Sequence, residues 1–135
     1  MSRFAVVNLL EVEDSTAGRV PGVEGRFARG PLDSRDLGVS HFRYGADVRS
    51  PMAHSHREQE EAYVVVAGSG RVLLDDEVVE LREWDVVRVS PEVVRCFEAG
   101  PGGLDILAVG GPKPEGGDGV RGEATWPESE TAAQG

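Results

Sequence analysis

Short strand-like runs recur along most of this chain, and this pattern restricts the possible folds more than any other feature. Runs rich in valine, leucine and aromatic residues are separated by Gly, Pro and Asp turns at intervals of about ten residues. No segment carries a helical apolar stripe over several turns. Many short strands with closely spaced turns are typical of β-sandwiches and β-barrels. We therefore predict an all-β fold.

The alternation of apolar and polar residues places the individual strands. The predicted strands cover residues 4–10, 23–29, 39–44, 62–67, 71–74, 78–81, 85–89, 93–98 and 104–109. Gly68-Ser69-Gly70 and Asp75-Asp76 are predicted as hairpin turns, and residues 100–103 as a further turn.

The length of 135 residues fits a single domain. Residues 1–111 are predicted to form the β domain. Residues 112–135 are rich in Gly, Pro and Glu, and predict an acidic tail with little structure of its own. Trp126 is the exception in this tail. Either it docks on the barrel or on a second subunit, or it is a solvent-exposed aromatic residue.

The charge and cysteine content limit the partners of the chain. A net charge of −10 argues against binding to nucleic acid, because the phosphate backbone would be repelled. No apolar run approaches the length of a membrane span, and the N-terminus does not resemble a signal peptide. The single cysteine, Cys96, fits a reducing compartment. We therefore expect a cytoplasmic protein that binds neither nucleic acid nor membranes.

Two histidines and a carboxylate form the main candidate site. His54 and His56 are two residues apart, so in a β-strand their side chains share a face, and Glu61 follows shortly after. Two imidazoles and one carboxylate form the facial triad that holds a divalent metal with open coordination positions. The alternative is a metal-free cavity, in which the histidines bond to each other, to Glu61 and to water.

The spacing His54-x-His56-x4-Glu61-x6-Gly68 resembles the first motif of the cupin superfamily. Residues 81–91 resemble the start of the second motif, and the resemblance covers residues 39–109. It implies a cupin-type jelly-roll barrel, or double-stranded β-helix, with the motifs facing each other inside. It also implies one divalent metal (Fe, Mn, Ni or Zn) in many members and none in others. Together with the prevalence of twofold dimers, it leads us to expect a homodimer.

The chain departs from the family pattern at several positions. Val48 and Trp84 stand where a glycine is usual, and Ser90 stands where a proline is usual. The ligand histidine of the second motif falls on Arg95. A shift of one residue would place Cys96 there instead. The register with Arg95 is preferred, because Asp85 and Phe97 then both match similar sequences.

Arg95 leads the candidate ligand-binding residues. A guanidinium stays charged in any protein, so an inward Arg95 would pair with Glu61 or with an anionic ligand. Tyr63 should share the face of Glu61, either as a proton donor or as a lining residue. His41 on an earlier strand and Gln59 are further candidates for the cavity wall. No catalytic residue can be assigned from the sequence.

Three functions are compatible with these residues. The leading prediction is binding of a small polar or anionic molecule in the barrel cavity, with or without a metal on His54, His56 and Glu61. The second is a metal-dependent enzyme of the oxygenase or isomerase type, acting on a small metabolite. The third is a metal-free binding module or a scaffold dimer.

Overall fold

The computed structural model describes residues 3–127, and within this range the chain is almost entirely β. Its eight strands are β1 (Val23–Phe27), β2 (Gly38–Tyr44), β3 (Ala53–His56), β4 (Glu61–Leu74), β5 (Glu77–Leu81), β6 (Val86–Val89), β7 (Arg95–Gly110) and β8 (Gly119–Gly122). A single helical turn, α1 (Arg29–Leu32), follows β1. In this part of the chain, no helix is long and apolar enough to cross a membrane.

The long strand β7 is the centre of the sheet. Its second half pairs antiparallel with β2 on one side and with β4 on the other. Its first half continues the pairing with β4 and contacts β3 at Arg95, which lies opposite His54. The strand β4 also pairs with β5 and β6, which completes a curled antiparallel sheet. The predicted all-β jelly-roll fold is confirmed.

The interior of the curled sheet holds one main apolar cluster. Alternate residues of the long strands point inward, and the inward set changes from odd-numbered to even-numbered residues or the reverse where the pairing register shifts. The buried members are Tyr44, Tyr63, Val65, Val72, Leu81, Val89, Phe97, Ala99, Leu104, Ile106 and Ala108.

Two of the predicted turns are wrong. Residues 68–70 and 100–103 lie within the continuous strands β4 and β7, where the pairing register shifts. The glycines are there because the strands approach closely. A Cβ at Gly68 would collide with the carbonyl oxygen of Gly103, and one at Gly70 with that of Glu98. Gly68 also has a φ of +78°, which favours glycine. The Asp75-Asp76 hairpin turn is confirmed.

The predicted N-terminal strand over residues 4–10 is also wrong. Among the described residues, this segment pairs with no strand, and it ends in a 3-10 turn, Leu9–Glu11. The side chain of Asn8 caps this turn by accepting a hydrogen bond from the backbone N–H of Leu10 at 2.9 Å. The apolar side chain of Val6, which suggested a strand, is exposed.

The C-terminal segment differs from the predicted tail. Strand β8 pairs with β3, opposite Ala53 to His56, and Trp126 is only 3% exposed. Trp126 packs on the outer face of the barrel, in a second apolar cluster with Ala53, Leu73 and Cys96. We call residues 118–126 the C-terminal strap. Burial of an aromatic side chain explains why this stretch is ordered despite its polar composition. Residues 128–135 of the predicted tail lie outside the described residues.

Two arginines hold Trp126 from the side of the barrel. The guanidinium carbons of Arg49 and Arg71 lie 4.6 Å and 5.4 Å from the centre of the Trp126 ring, within cation–π range. Both arginines bond to the carboxylate of Glu98, Arg49 at 2.6 Å. Glu98 therefore orders both cations against the ring.

Glu98 should make stability depend on pH. Burial raises its pKa, but hydrogen bonds from Arg71 and Arg49 outweigh burial and bring the pKa below its ordinary value. A carboxyl with a lowered pKa stabilises the fold above its unfolded-state pKa, about 4.3, and this contribution is lost as the pH falls through the folded-state pKa. We expect Glu98→Gln to lower the free energy of unfolding by about 1 kcal/mol at pH 7 and progressively less below about pH 4.

Urea denaturation at pH 7, 5 and 3 measures this effect. The exposed carboxylate of Glu77 provides the control, and Glu77→Gln should leave stability almost unchanged. An equal loss at pH 7 and pH 3 for Glu98→Gln would contradict the proposed ionic role.

Candidate functional site

A cavity of about 740 Å³ opens inside the barrel and contains most of the candidate site residues. Its wall is mainly apolar, with Phe27, Phe42, Tyr44 and Phe97 among the lining residues. One group of polar side chains lies where β3, β4 and β7 meet: His54, His56, Glu61, Tyr63 and Arg95. A mostly apolar cavity with a few convergent polar groups is typical of a small-molecule site.

Strand β3 directs both histidines into this cavity. His54 and His56 line it two residues apart on the same face, with ring centres 5.1 Å apart and ring planes at 85°. Pairing with β8 along the full length of β3 fixes the direction of both side chains. The His56 side chain is nearly buried, whereas that of His54 is 38% exposed.

Glu61, the first residue of β4, completes the predicted triad of His54, His56 and Glu61. Its Oε1 lies 3.0 Å from His56 Nε2 and 3.7 Å from His54 Nε2. One ligand atom from each of the three residues falls within 4.8 Å of the others, close enough to share a metal ion. The structure therefore brings together the three residues that the sequence spacing singled out.

Tyr63 bonds to the same carboxylate oxygen. Its hydroxyl donates to Glu61 Oε1 at 2.5 Å. Burial raises the pKa of Tyr63 far above its ordinary value, so the phenol stays protonated. Burial also raises the pKa of Glu61, but its interactions with His54 and Tyr63 outweigh burial, and the pKa lies below its ordinary value. Glu61 is therefore a buried carboxylate anion.

Asp118, which no sequence pattern singled out, lies next to the triad. Its Oδ1 is 2.9 Å from His56 Nδ1, and its Oδ2 accepts from the backbone N–H groups of Glu58 and Gln59 at 2.8 and 2.7 Å. Burial raises the pKa of Asp118, but these hydrogen bonds outweigh burial and lower the pKa to about 2. Asp118 follows β7 and precedes β8, 62 residues after His56. No local sequence signal connects the two residues.

The bond to Asp118 determines what His56 presents to the cavity. An ionised carboxylate requires a proton on Nδ1, so a neutral His56 ring has a lone pair on Nε2. Nε2 is buried and has no hydrogen-bond partner among residues 3–127, although Glu61 Oε1 is 3.0 Å away. Two acceptors at this distance repel each other unless a cation lies between them, either a proton on Nε2 or a metal ion. The donor set of the triad therefore fits a metal cation.

Arg95 lies beside the triad with its side chain fully buried. Its Nη2 is 3.9 Å from Glu61 Oε1, and its Nη1 donates to the backbone oxygen of Pro91 at 3.3 Å. Its Nε and Nη2 are buried and have no hydrogen-bond partner among the described residues. Because an unsatisfied charged donor is costly, these two groups favour an acceptor inside the cavity.

The remaining candidates differ in position. Gln59 lines the cavity, but its side-chain amide donates to the backbone oxygen of Gly111 at 2.9 Å. His41 does not line the cavity, because Ser40 and Phe42 take the inward positions of β2. It lies on the opposite face, with Nε2 3.3 Å from Asp105 Oδ2. Its inclusion among the cavity residues is corrected accordingly.

The charges that line the cavity differ from those of the whole chain. The lining residues include four basic side chains, Arg19, Arg29, Arg95 and Lys113, and one acidic side chain, Glu61. The chain as a whole carries a net charge of −10. A cavity that concentrates basic groups in an acidic protein attracts anions.

No protein-family model and no curated protein matches this sequence. Several solved structures share its fold. A cupin protein from Bacteroides fragilis has a TM-score of 0.69 at 20% identity, over 92% of this chain and 93% of the other. An oxalate decarboxylase variant from B. subtilis has a TM-score of 0.72 at 18% identity, over 95% of this chain and 36% of the other. Streptomyces Pac13, a nucleoside dehydratase, was solved as a variant with uridine. It has a TM-score of 0.72 at 15% identity, over 96% and 98% of the two chains.

Asp118 should act as a positioning residue for His56. We expect Asp118→Asn to weaken divalent-metal binding by about 10- to 100-fold, because the amide oxygen accepts from the backbone N–H groups of Glu58 and Gln59, and the amide NH2 then donates to Nδ1 and favours the tautomer with its proton on Nε2. Competition with a chelator measures the affinity, and nitrogen NMR of the imidazole should show a loss of the Nδ1-protonated form without any metal. Asp76→Asn, in the exposed β4–β5 turn, is the control. Unchanged affinity and an unchanged tautomer would contradict this role.

Proposed function

We propose that this chain, which has the cupin fold, binds a small organic anion in its barrel cavity, next to a divalent metal ion held by His54, His56 and Glu61. The buried Nε2 of His56 is the observation that supports the proposed metal site. It faces the carboxylate of Glu61 without a hydrogen bond while Nδ1 is held by Asp118. A cation satisfies both facing acceptors at once.

The composition of the site restricts the choice of metal. Two imidazoles and one carboxylate suit Fe, Mn, Ni or Zn, and leave coordination positions for water or a ligand. A metal bound there would act as a Lewis acid that polarises a ligand oxygen. Two structural neighbours, oxalate decarboxylase and a salicylate 1,2-dioxygenase, are named for carboxylate compounds, which is compatible with an anionic ligand here.

Arg95 favours the binding of an anion and opposes the binding of a metal at Glu61. Its Nε and Nη2, which form no hydrogen bond within residues 3–127, can bind a carboxylate in the bidentate manner typical of arginine. Its positive charge, 3.9 Å from Glu61 Oε1, also competes with a metal for that carboxylate. We therefore infer that metal and anion bind together, since the charge of the anion offsets the repulsion between the two cations.

A metal-free acid–base enzyme is the second candidate. The hydrogen bond from the Tyr63 hydroxyl to Glu61 and the proximity of Arg95 would stabilise a site without metal. In that case His54, the more exposed histidine, would serve as the base, and Tyr63 as a proton donor. The structural neighbour Pac13, a nucleoside dehydratase solved with uridine, makes a dehydratase or lyase reaction worth testing beside the oxygenase and isomerase types.

Elemental analysis after loading with Fe(II), Mn, Ni and Zn separates these two candidates. We expect about one equivalent of metal per chain, because the triad provides one set of ligands. The double variant His54→Ala, His56→Ala should lose this metal. His41→Ala, which removes an imidazole outside the cavity, should keep it. A protein that takes up no metal under any loading condition would favour the metal-free candidate.

Removal of the Arg95 charge tests whether Arg95 binds the anion. We expect Arg95→Met to weaken binding of small carboxylates by about tenfold or more and to tighten metal binding in their absence. Isothermal calorimetry measures both affinities, and a melting curve checks that the variant folds. Arg95→Lys, which keeps the charge but loses the planar fork, should be intermediate. Equal carboxylate affinity in all three proteins would contradict the assignment.

A further inference from the structure

The cavity extends well beyond the triad, and its outer part carries a second set of basic groups. Its volume of about 740 Å³ lies in the range that accommodates drug-sized ligands and exceeds the needs of a two-carbon anion. Arg95 lies fully buried at the triad, whereas Lys113 is exposed and Arg29 half-buried. The basic groups of the cavity therefore lie at different depths.

Arg29 is held in place without an acidic partner. Its Nη2 donates to the backbone oxygen of Gly111 and its Nη1 to that of Arg35, both at 3.3 Å. The guanidinium packs so closely on Gly38 that a Cβ there would lie 2.7 Å from Nη2. Among the described residues, no carboxylate pairs with it. Its charge is therefore positioned but not neutralised.

Lys113 lies two residues after Gly111 and lines the same cavity. No carboxylate within residues 3–127 forms an ion pair with it either. We call Arg29 and Lys113 the rim pair. Acidic side chains outnumber basic ones in this chain, 24 to 14, so two basic groups without acidic partners beside one cavity mark a place for an anion.

Apolar groups that are open to solvent line the cavity together with the rim pair. Phe27 is 49% exposed and Met52 is 54% exposed, and both line the cavity. The ring of Phe27 meets that of Phe42 edge-on, with centres 5.4 Å apart. Apolar surface of this kind is stabilised when the body of a ligand covers it.

We propose that the ligand is an elongated dianion with an apolar body. One anionic group binds at Arg95 beside the triad, the body covers Phe27 and Phe42, and a second carboxylate or phosphate binds at the rim pair. This inference rests on the proposed function, because it assumes that the first anionic group binds at Arg95. It adds a second anionic group to the proposed ligand and an apolar body that connects the two anionic groups.

Ligands that share one body test this proposal. The probes are 3-phenylpropionate, its 4-carboxy derivative and its 4-(methyl phosphate) derivative, a phosphodiester that carries a single charge on the phosphate, titrated by calorimetry into the full-length, metal-loaded protein. We expect each dianion to bind about tenfold or more tightly than the monoanion, since the rim pair adds a charge-assisted contact. The stronger of the two dianions tells whether the second group is a carboxylate or a phosphate.

Variants of the rim pair test whether Arg29 and Lys113 cause the tighter binding of the dianions. Arg29→Gln combined with Lys113→Gln should abolish the advantage of the dianions and leave the affinity for 3-phenylpropionate unchanged. Arg35→Gln removes one positive charge, as Lys113→Gln does, but from an exposed side chain outside the cavity, and it should keep the advantage. Lys113→Gln alone changes one exposed residue, so it gives a partial loss even if the double variant folds poorly.

The outcomes distinguish this inference from the proposed function. Equal affinity for monoanion and dianions in the wild-type protein would overturn the second subsite and leave the proposed function intact. Dianion preference that survives in the double variant would also overturn the assignment to the rim pair. If no probe binds and Arg95→Met changes nothing, the proposed function fails, and this inference fails with it.

Discussion

The antiparallel pairing of the two long strands, β4 and β7, is the constraint on which the rest of this molecule depends. It runs from Glu61 opposite Gly110 to Leu74 opposite Arg95, so both strands must bend along their length. Glycines at the register shifts permit that bend, because any Cβ there would meet the facing backbone. The bend closes the sheet around the cavity and brings Glu61 of one strand within 3.9 Å of Arg95 of the other. The site is a product of this pairing.

Within the site, one oxygen atom has more partners than a carboxylate usually has. Glu61 Oε1 accepts from Tyr63 and lies within 4 Å of His54, His56 and Arg95. Burial would normally protonate such a group, yet the surrounding partners keep it ionised. Donors and lone pairs are therefore concentrated around one anion. Arg95 lies close enough for its charge to act on this anion.

The sequence predicted the elements that depend on local spacing and missed those that depend on distant contacts. The two-residue period of a strand places His54 and His56 on one face, and this held in the structure. The same period cannot tell which face of β2 is inward, so His41 was assigned to the wrong side. A Gly-x-Gly sequence is compatible with a turn and with a close approach of two strands alike. Asp118 could not be found, because its partner is 62 residues away.

The C-terminal strap contains Asp118, so the order of synthesis determines when this part of the site can assemble. During synthesis, His56 leaves the ribosome 62 residues before Asp118, the residue that orients it. The strands β4 to β7 are made in the interval, so the barrel can close before the strap arrives. His54, His56 and Glu61 are therefore all synthesised before Asp118, whose carboxylate bonds to His56. Trp126, which anchors the strap on the outer face, emerges later still. The contact between Asp118 and His56 can form only after strands β1 to β7 have been synthesised.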